Sequence, residues 1–124
     1  MQEQISFETL PVLNLQTVES IRKISSNSTH DVLTNLIQIF LEDSPKRITS
    51  ILNAANNKNS KVFYESAHSF RSSSASIGAE RLSKLCQFLE QNGRSGIIPE
   101  PYWCNVQLHK KYSEVEAKLL LLLP

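Results

Sequence analysis

The sequence predicts an all-α fold: an antiparallel four-helix bundle with a short additional helix at the N-terminus. Apolar side chains recur every three or four residues over long stretches, as they do on one face of an α-helix. The chain has only three glycines and five prolines, and no stretch alternates like a half-buried strand. A length of 124 residues is enough for one compact core. We therefore expect a single domain over residues 1–124, with its core at about residues 11–122.

The first two helices are predicted from apolar spacing and from capping residues. Asn14 is placed to cap a short first helix. Ser28 and Asp31 have the spacing of a capping box, with Asp where Glu or Gln is usual, and they introduce a long second segment. Pro45 predicts a kink or a break in it, because proline removes a backbone donor and crowds the preceding turn. The predicted inner residues are Leu15, Val18 and Ile21, then Leu33, Leu36, Ile37, Phe40, Ile48, Ile51, Leu52 and Ala55.

The third helix follows a polar turn and is predicted to begin near Lys61, capped by Asn59 or Ser60. Its inner row is Phe63, Ala67, Phe70, Ser74 and Ile77. The neighbouring row, which faces outward or sideways, is Tyr64, His68, Arg71, Ser72 and Ala75. Gly78 can adopt the left-handed conformation that ends a helix.

Two further helices complete the predicted bundle. The fourth turns Leu82, Leu85, Cys86 and Leu89 inward, and the last turns Leu108, Tyr112, Val115, Leu119 and Leu122 inward. Between them, QNGRSG and IIPEP together predict a long surface connection. Cys86 and Cys104 have no CxxC partner, so we expect buried, reduced thiols and no disulfide framework or zinc site.

Charge and hydropathy exclude several classes of protein. With 13 basic and 12 acidic residues the net charge is +1, so there is no field to hold nucleic acid or an anionic membrane surface. The apolar run at residues 119–123 is far shorter than the roughly 20 residues of a membrane span. The first ten residues lack the basic leader and apolar core of a secretory signal, so we expect a cytoplasmic protein.

The chain shows little equipment for independent catalysis. Glu65 and His68 form one Glu-x-x-His pair, but His30 and His109 lack a glutamate three positions before them, so a carboxylate-bridged metal site fails on ligand count. No GxSxG elbow and no GxxxxGK[ST] loop occurs. We therefore expect no metal and no cofactor. His68 remains, either as an ordinary, partly exposed histidine or as a nucleophile that carries a phosphoryl group beside Arg71 and Ser72.

The stretch AHSFRSSSASIGAERLSKLCQFLE, residues 67–90, resembles the signature of histidine-containing phosphotransfer (HPt) domains. The Ala-His pair, the apolar residue after it, the run of small residues, the Ile-Gly-Ala close and the next helix with Leu and Cys all match. Arg71 stands where the family usually has lysine, and Ser72 stands where glycine is commonest. IQIFLEDSPKRI and PVLNLQTVESI resemble the family's preceding long helix and its N-terminal lead-in, so the resemblance covers nearly the whole chain.

The resemblance implies a phosphorelay intermediate of a bacterial two-component system. His68 would accept a phosphoryl group from the aspartate of one response-regulator receiver domain and pass it to another, with Mg²⁺ supplied by the receiver. The protein would be a monomer without kinase activity of its own. It would be either free-standing or the C-terminal domain of a hybrid sensor histidine kinase, including the cytoplasmic portion of a membrane-bound one. The alternative is a docking module of the same fold that regulates a partner without transfer.

The resemblance also gives roles to the neighbours of His68. Arg71 keeps the positive charge of the usual lysine, with a larger planar fork whose contact with phosphate is either bidentate or displaced. Ser72 adds a Cβ and a hydroxyl beside the histidine. The candidate docking surface comprises Tyr64, Ala75, Gln87 and Glu90. For Tyr64 the alternative is packing at the edge of the core; for Gln87 and Glu90 the alternatives are orientation of the imidazole and a solvated helix face.

Overall fold

A computed structural model describes residues 7–24 and 31–124 of the chain. Within that part there are five helices and no strand: α1 (Leu15–Ile24), α2 (Val32–Asn56), α3 (Ser60–Ser76), α4 (Glu80–Arg94) and α5 (Pro101–Leu120). Short turns join α2 to α3 and α3 to α4, so these consecutive helices are antiparallel neighbours. Helix α3 packs against both α2 and α4, and α5 packs against the same two helices. The prediction of an all-α bundle with a short first helix is confirmed.

Side-chain caps begin four of the helices, including α5, where the Glu100 carboxylate accepts a hydrogen bond from the backbone N–H of Trp103. Asn14 and Asn59 accept hydrogen bonds from backbone N–H groups in the first turns of α1 and α3, as predicted. Asp31 caps α2 itself, with its carboxylate 3.0 Å from the backbone nitrogen of Thr34. The capping-box spacing predicts Asp31 one turn inside the helix, with Ser28 as the cap, and Ser28 lies outside the described residues. An acceptor side chain at a helix start satisfies a backbone donor that the helix leaves unpaired.

The predicted break at Pro45 is wrong, since α2 runs through it from Val32 to Asn56. Proline at position 45 leaves the carbonyl of Leu41 without its usual donor four residues later. The hydroxyl of Tyr112, on α5, lies 3.4 Å from that carbonyl and donates a hydrogen bond to it. Burial raises the pKa of Tyr112, so the phenol keeps its proton for this bond. A neighbouring helix thus supplies the donor that α2 lacks.

One continuous core fills the bundle. Its buried members include nearly all the predicted inner residues of α2 to α5. The exceptions on the predicted inner faces are Leu15 and Leu36, which are exposed, and Leu52 and Leu122, which are partly buried. Helix α1 is short and buries only Val18 and Ile21, which leaves Leu15 in solvent. Cys86 and Cys104 are buried free thiols, as predicted, and burial raises the pKa of each.

The segment before α1 also belongs to the packed structure. Phe7 is buried with its ring edge against Phe88, at 6.4 Å between centroids. Lys111 of α5 is only 2% exposed, and its ammonium donates to the Glu8 carboxylate at 2.7 Å. Arg81 of α4 donates to the carbonyl oxygens of the same segment. Among the described residues, the packed core therefore includes Phe7, four residues before the position expected from the sequence.

The connection between α4 and α5 is shorter than predicted, because α4 continues to Arg94 and only residues 95–100 link the helices. Gly93, expected in a loop, is buried within the last turn of α4. A Cβ atom at this position would lie 2.8 Å from Cβ of Tyr64 and 2.9 Å from the Phe63 ring. The glycine therefore lets α4 approach α3 closely. Gly78 follows α3 with φ +88°, in the predicted left-handed conformation.

Candidate functional site

The inner row of α3 determines where His68 points. Phe63, Ala67, Phe70 and Ser74 are all fully buried, and their spacing fixes the rotation of the helix about its axis. His68, one position after Ala67, therefore lies on the outer side, and its side chain is 51% exposed. The imidazole is accessible while the backbone that carries it is anchored on the opposite face.

Glu90 of α4 holds the imidazole from the side. Its oxygen Oε2 lies 3.0 Å from Nδ1 of His68, and its other oxygen, Oε1, accepts a hydrogen bond from Nε of Arg71 at 2.8 Å. The Glu90 side chain is only 7% exposed. A carboxylate buried to this extent is stable only when its charge and its hydrogen bonds are compensated. The contacts with α3 supply part of that compensation.

Arg94, one turn further along α4, supplies the rest. Its Nε and Nη2 atoms lie 3.1 and 3.0 Å from Oε2 of Glu90, so both donate to the same oxygen. The guanidinium carbon also lies 4.5 Å from the centre of the Tyr64 ring. This is a cation–π arrangement. Tyr64 thus supports Arg94, which in turn binds Glu90.

These bonds keep Glu90 ionised. Burial by itself would raise the pKa of this carboxyl, but hydrogen bonds from Arg94, Arg71 and His68 outweigh it, and the pKa lies below its usual value. At neutral pH the group is therefore a carboxylate, which accepts hydrogen bonds and donates none.

The charge of Glu90 selects the tautomer of His68. Nδ1 lies 3.0 Å from the carboxylate and 3.2 Å from Nη2 of Arg71, and it cannot accept from the arginine while donating to the carboxylate. A lone pair on Nδ1 would face a negatively charged oxygen at hydrogen-bond distance, so the proton belongs on Nδ1. Nε2 then carries the lone pair. Both polar contacts of His68 in the described structure involve Nδ1, so Nε2 remains available as a nucleophile.

A half-exposed histidine on an inner helix of a bundle, with its far nitrogen free, is the geometry expected for histidine phosphotransfer. Residues 35–118, more than half of the chain, match the family model of the Hpt domain. The chain belongs to the Hpt family. Its fold is similar to the crystal structure of histidine-containing phosphotransfer protein B (HptB) from Pseudomonas aeruginosa PAO1, with a TM-score of 0.80 over 90% of this chain and 93% of that chain, at 22% identity. Comparison with curated proteins gave no match.

This Hpt domain brings some of the predicted site residues together and separates others. Arg71 contacts Glu90 and the imidazole, on the Nδ1 side of the ring. Ser72 is exposed, and the hydrogen bond described for it uses its backbone carbonyl, which accepts from Ser76. Ala75 and Gln87 line a shallow hollow between α3 and α4 that does not include His68. The site therefore consists of a compact network around Nδ1 and a more open surface along α3.

Glu90 and Tyr64 had several possible roles in the sequence. A solvated helix face for Glu90 is wrong, because the residue is buried and bonded to His68. Tyr64 is half-buried and carries the guanidinium of Arg94 on its ring. Both residues belong to the network that surrounds the imidazole.

Sequence analysis missed Arg94 and Gly93 as parts of this Hpt domain's site. The signal for Arg94 was its position four residues after Glu90, the spacing at which a glutamate and a cation share a helix face. The glycine and serine around it predicted a loop and hid that spacing. The close approach of Gly93 to Tyr64 has no counterpart in the sequence pattern, because it depends on how α3 and α4 are placed.

Residues 7–24 and 31–124 include no cluster of three or more His, Cys, Asp or Glu side chains suited to a metal ion. None of the helices in those ranges has the length and apolar character of a membrane span.

Proposed function

We propose that this Hpt domain is a phosphorelay intermediate in which His68 accepts a phosphoryl group from the aspartyl phosphate of one receiver domain and passes it to the aspartate of another. The observation that carries the proposal is the orientation of the imidazole. A buried carboxylate, Glu90, binds Nδ1 at 3.0 Å, and the ring is half exposed with Nε2 free. Membership of the Hpt family supports the same role.

The transfer step follows from this tautomer. The lone pair of Nε2 attacks phosphorus, the N–P bond forms, and the P–O bond to the receiver aspartate breaks with its electron pair left on the carboxylate. The proton on Nδ1 stays in place, so the ring becomes positively charged. Glu90 stabilises that charge through its bond to Nδ1, as the buried aspartate does for the histidine of a Ser-His-Asp triad. Transfer to the second receiver reverses these bond changes, and the positively charged ring is a good leaving group.

The charge around the imidazole favours a phosphoryl group. Glu90 contributes one negative charge and the two arginines bonded to it contribute two positive charges, which leaves a net charge of +1 from these three groups beside the imidazole. A bound phosphoryl group carries about −2. The chain presents a nucleophile in a positive field, and the Mg²⁺ of the reaction is supplied by the receiver domain.

The partners in this proposal are response-regulator receiver domains. Ser72 is exposed one turn after His68, and its small side chain leaves room for a receiver to approach the imidazole. The exposed and half-buried residues Ala75 and Gln87 extend the same side of α3 and α4 and contribute to the docking surface. We propose that the domain acts in the cytoplasm as a monomer, either free-standing or as the C-terminal domain of a hybrid sensor histidine kinase.

Phosphorylation by a labelled receiver tests the proposal. A phosphorylated receiver should label the wild-type chain on a group that is stable in base and labile in acid, as a phosphohistidine is. His68→Gln should abolish the label. His109→Gln is the matched control, because His109 is an exposed histidine on α5, and this variant should be labelled as well as wild type. Equal labelling of the His68 variant and wild type would contradict the proposal.

A docking module without transfer is the alternative function. It would be favoured by an imidazole with both nitrogens bonded inside the protein, and here the described polar contacts of the ring involve Nδ1 alone. Under the alternative, His68→Gln would preserve receiver affinity and regulation, and no receiver would transfer phosphate to the wild-type chain. The binding and labelling measurements on the same two variants separate the two functions.

A further inference from the structure

Two arginines bind the same buried carboxylate, and they are attached to it differently. Arg94 makes two hydrogen bonds to Oε2 of Glu90, at 3.0 and 3.1 Å, and its guanidinium lies over the Tyr64 ring. Arg71 makes one bond to Oε1, through Nε, at 2.8 Å. Its terminal nitrogen Nη2 lies 3.2 Å from Nδ1 of His68 and makes no hydrogen bond to Glu90 among the described contacts. Arg94 is held on two sides, and Arg71 on one.

The packing of α4 against α3 explains the firmer attachment of Arg94. Gly93 has no side chain, so the last turn of α4 lies directly against Tyr64 and Phe63. The next residue, Arg94, is thereby placed over the ring of Tyr64, one helical turn before His68 on α3. Stacking on an aromatic ring restricts a guanidinium whose planar fork already matches a carboxylate. Gly93 thus allows a cation to lie beside Glu90 while it is stacked on the Tyr64 ring.

Phosphorylation changes what the site requires of Arg71. The new phosphoryl group is the strongest negative charge near His68, and Arg71 is the cation whose terminal nitrogen already contacts the imidazole. If Glu90 depended on Arg71 alone, moving that arginine would leave a buried carboxylate without a cation, which is strongly unfavourable. Arg94 removes this conflict, because it pairs with Glu90 independently.

We propose that Arg94 is a positioning residue that holds the Glu90 carboxylate against Nδ1 of His68, so that Arg71 can exchange Glu90 for the phosphoryl group when His68 is phosphorylated. The inference rests on the proposed phosphotransfer function. It assigns separate tasks to two arginines that otherwise look equivalent in the network. Arg94 maintains the tautomer of His68, and Arg71 moves from Glu90 to the phosphoryl group.

The first experiment uses the unphosphorylated protein and reports on Arg94 alone. Nitrogen-15 NMR of the His68 ring should show the Nδ1–H tautomer in wild type. Arg94→Met should lower the population of this tautomer, and Arg94→Lys should retain more of it because the charge remains. Tyr64→Leu should also lower the population, although the net charge of the site does not change. Lys84→Met is the matched control, since it removes one positive charge from an exposed position on the same helix. A wild-type tautomer in Arg94→Met would overturn the positioning role.

The second experiment follows the arginines during phosphorylation by phosphoramidate, a small donor that needs no receiver. The N–P bond to Nε2 forms, the P–N bond of the donor breaks, and ammonia leaves. The Nε–H signal of Arg71 should shift and that of Arg94 should remain. Arg94→Met should slow labelling about tenfold, the effect of losing a hydrogen bond to a charged group, and Lys84→Met should not. A shift of the Arg94 signal with an unchanged Arg71 signal would refute the division of tasks.

The two experiments also separate this inference from the proposed function. If neither phosphoramidate nor any phosphorylated receiver labels His68, the phosphotransfer function is wrong, whatever the NMR shows about Arg94. If His68 is labelled and the Arg94 variants match wild type in tautomer and rate, the function stands and the positioning role is wrong.

Discussion

Replacing Gly93 with alanine has two opposite effects on the stability of the fold, and the structure shows which of them is larger. In an exposed helix, glycine to alanine stabilises by about 1 kcal/mol, because alanine has the higher helix propensity. At position 93 the added Cβ would lie 2.8 Å from Cβ of Tyr64 and 3.3 Å from its Cα. These atoms are on or next to the backbone of α3, so no change of rotamer relieves the contact. Either helix must move.

The expected net effect is destabilisation by about 2 kcal/mol. Inserting a methyl group into a packed interface costs about 1–3 kcal/mol, and contacts to a neighbouring helix backbone place this case at the upper end of that range. The gain in helix propensity offsets about 1 kcal/mol of this cost. The displacement also falls where Arg94 lies over Tyr64, at 4.5 Å in the native structure. Stability and the His68 tautomer should therefore change together.

Urea unfolding of Gly93→Ala, of the comparison variant Gly96→Ala and of wild type measures the effect. With a slope of about 2 kcal/mol per molar, the midpoint of Gly93→Ala should fall by about 1 M. Gly96→Ala is the comparison, because φ is +78° there and a Cβ would meet nothing within 4 Å. It should lose about 1 kcal/mol from backbone strain alone and keep the wild-type NMR signals of His68. A Gly93→Ala protein at least as stable as wild type would refute the packing argument.

Two further predictions concern contacts that α5 makes with α2 and with the segment before α1. Tyr112→Phe should cost about 1 kcal/mol by leaving the Leu41 carbonyl unpaired, and clearly less in a Pro45→Ala background, which restores the missing N–H; additive effects in the double-mutant cycle would contradict this. The hydrogen bond from Lys111 lowers the pKa of Glu8 below its usual 4.5, so this pair stabilises the fold above about pH 4.5 and the contribution disappears as pH falls through the lowered pKa. Glu8→Gln should therefore make urea stability less dependent on pH below 4.5, and an unchanged acid profile would show that the pair contributes nothing.

Local patterns account for most of the helices. The spacing on α3 and α5 predicted which residues are buried, because a regular helix presents every third or fourth side chain to the same neighbour. Asn14, Asn59 and Gly78 were recognisable because caps and left-handed turns depend on a few adjacent residues. The predicted break at Pro45 is wrong for the opposite reason. The effect of a missing N–H depends on whether another group pairs with the free carbonyl, and that group, Tyr112, is distant in sequence.

For the candidate site, the sequence by itself predicted the candidate nucleophile, His68, and determined its helix face. His68 lies beside a fully buried row of α3, and the stretch that resembles the HPt signature consists of residues adjacent in the chain. The histidine and its helix face could therefore be recognised without coordinates. Only the tertiary structure decided which nitrogen is free. That depends on Glu90 being buried and ionised against Nδ1, on two arginines compensating its charge, and on Gly93 allowing α4 close enough to place one of them over Tyr64. A tautomer is set by distances of about 3 Å between two helices, and no periodicity within one helix encodes them.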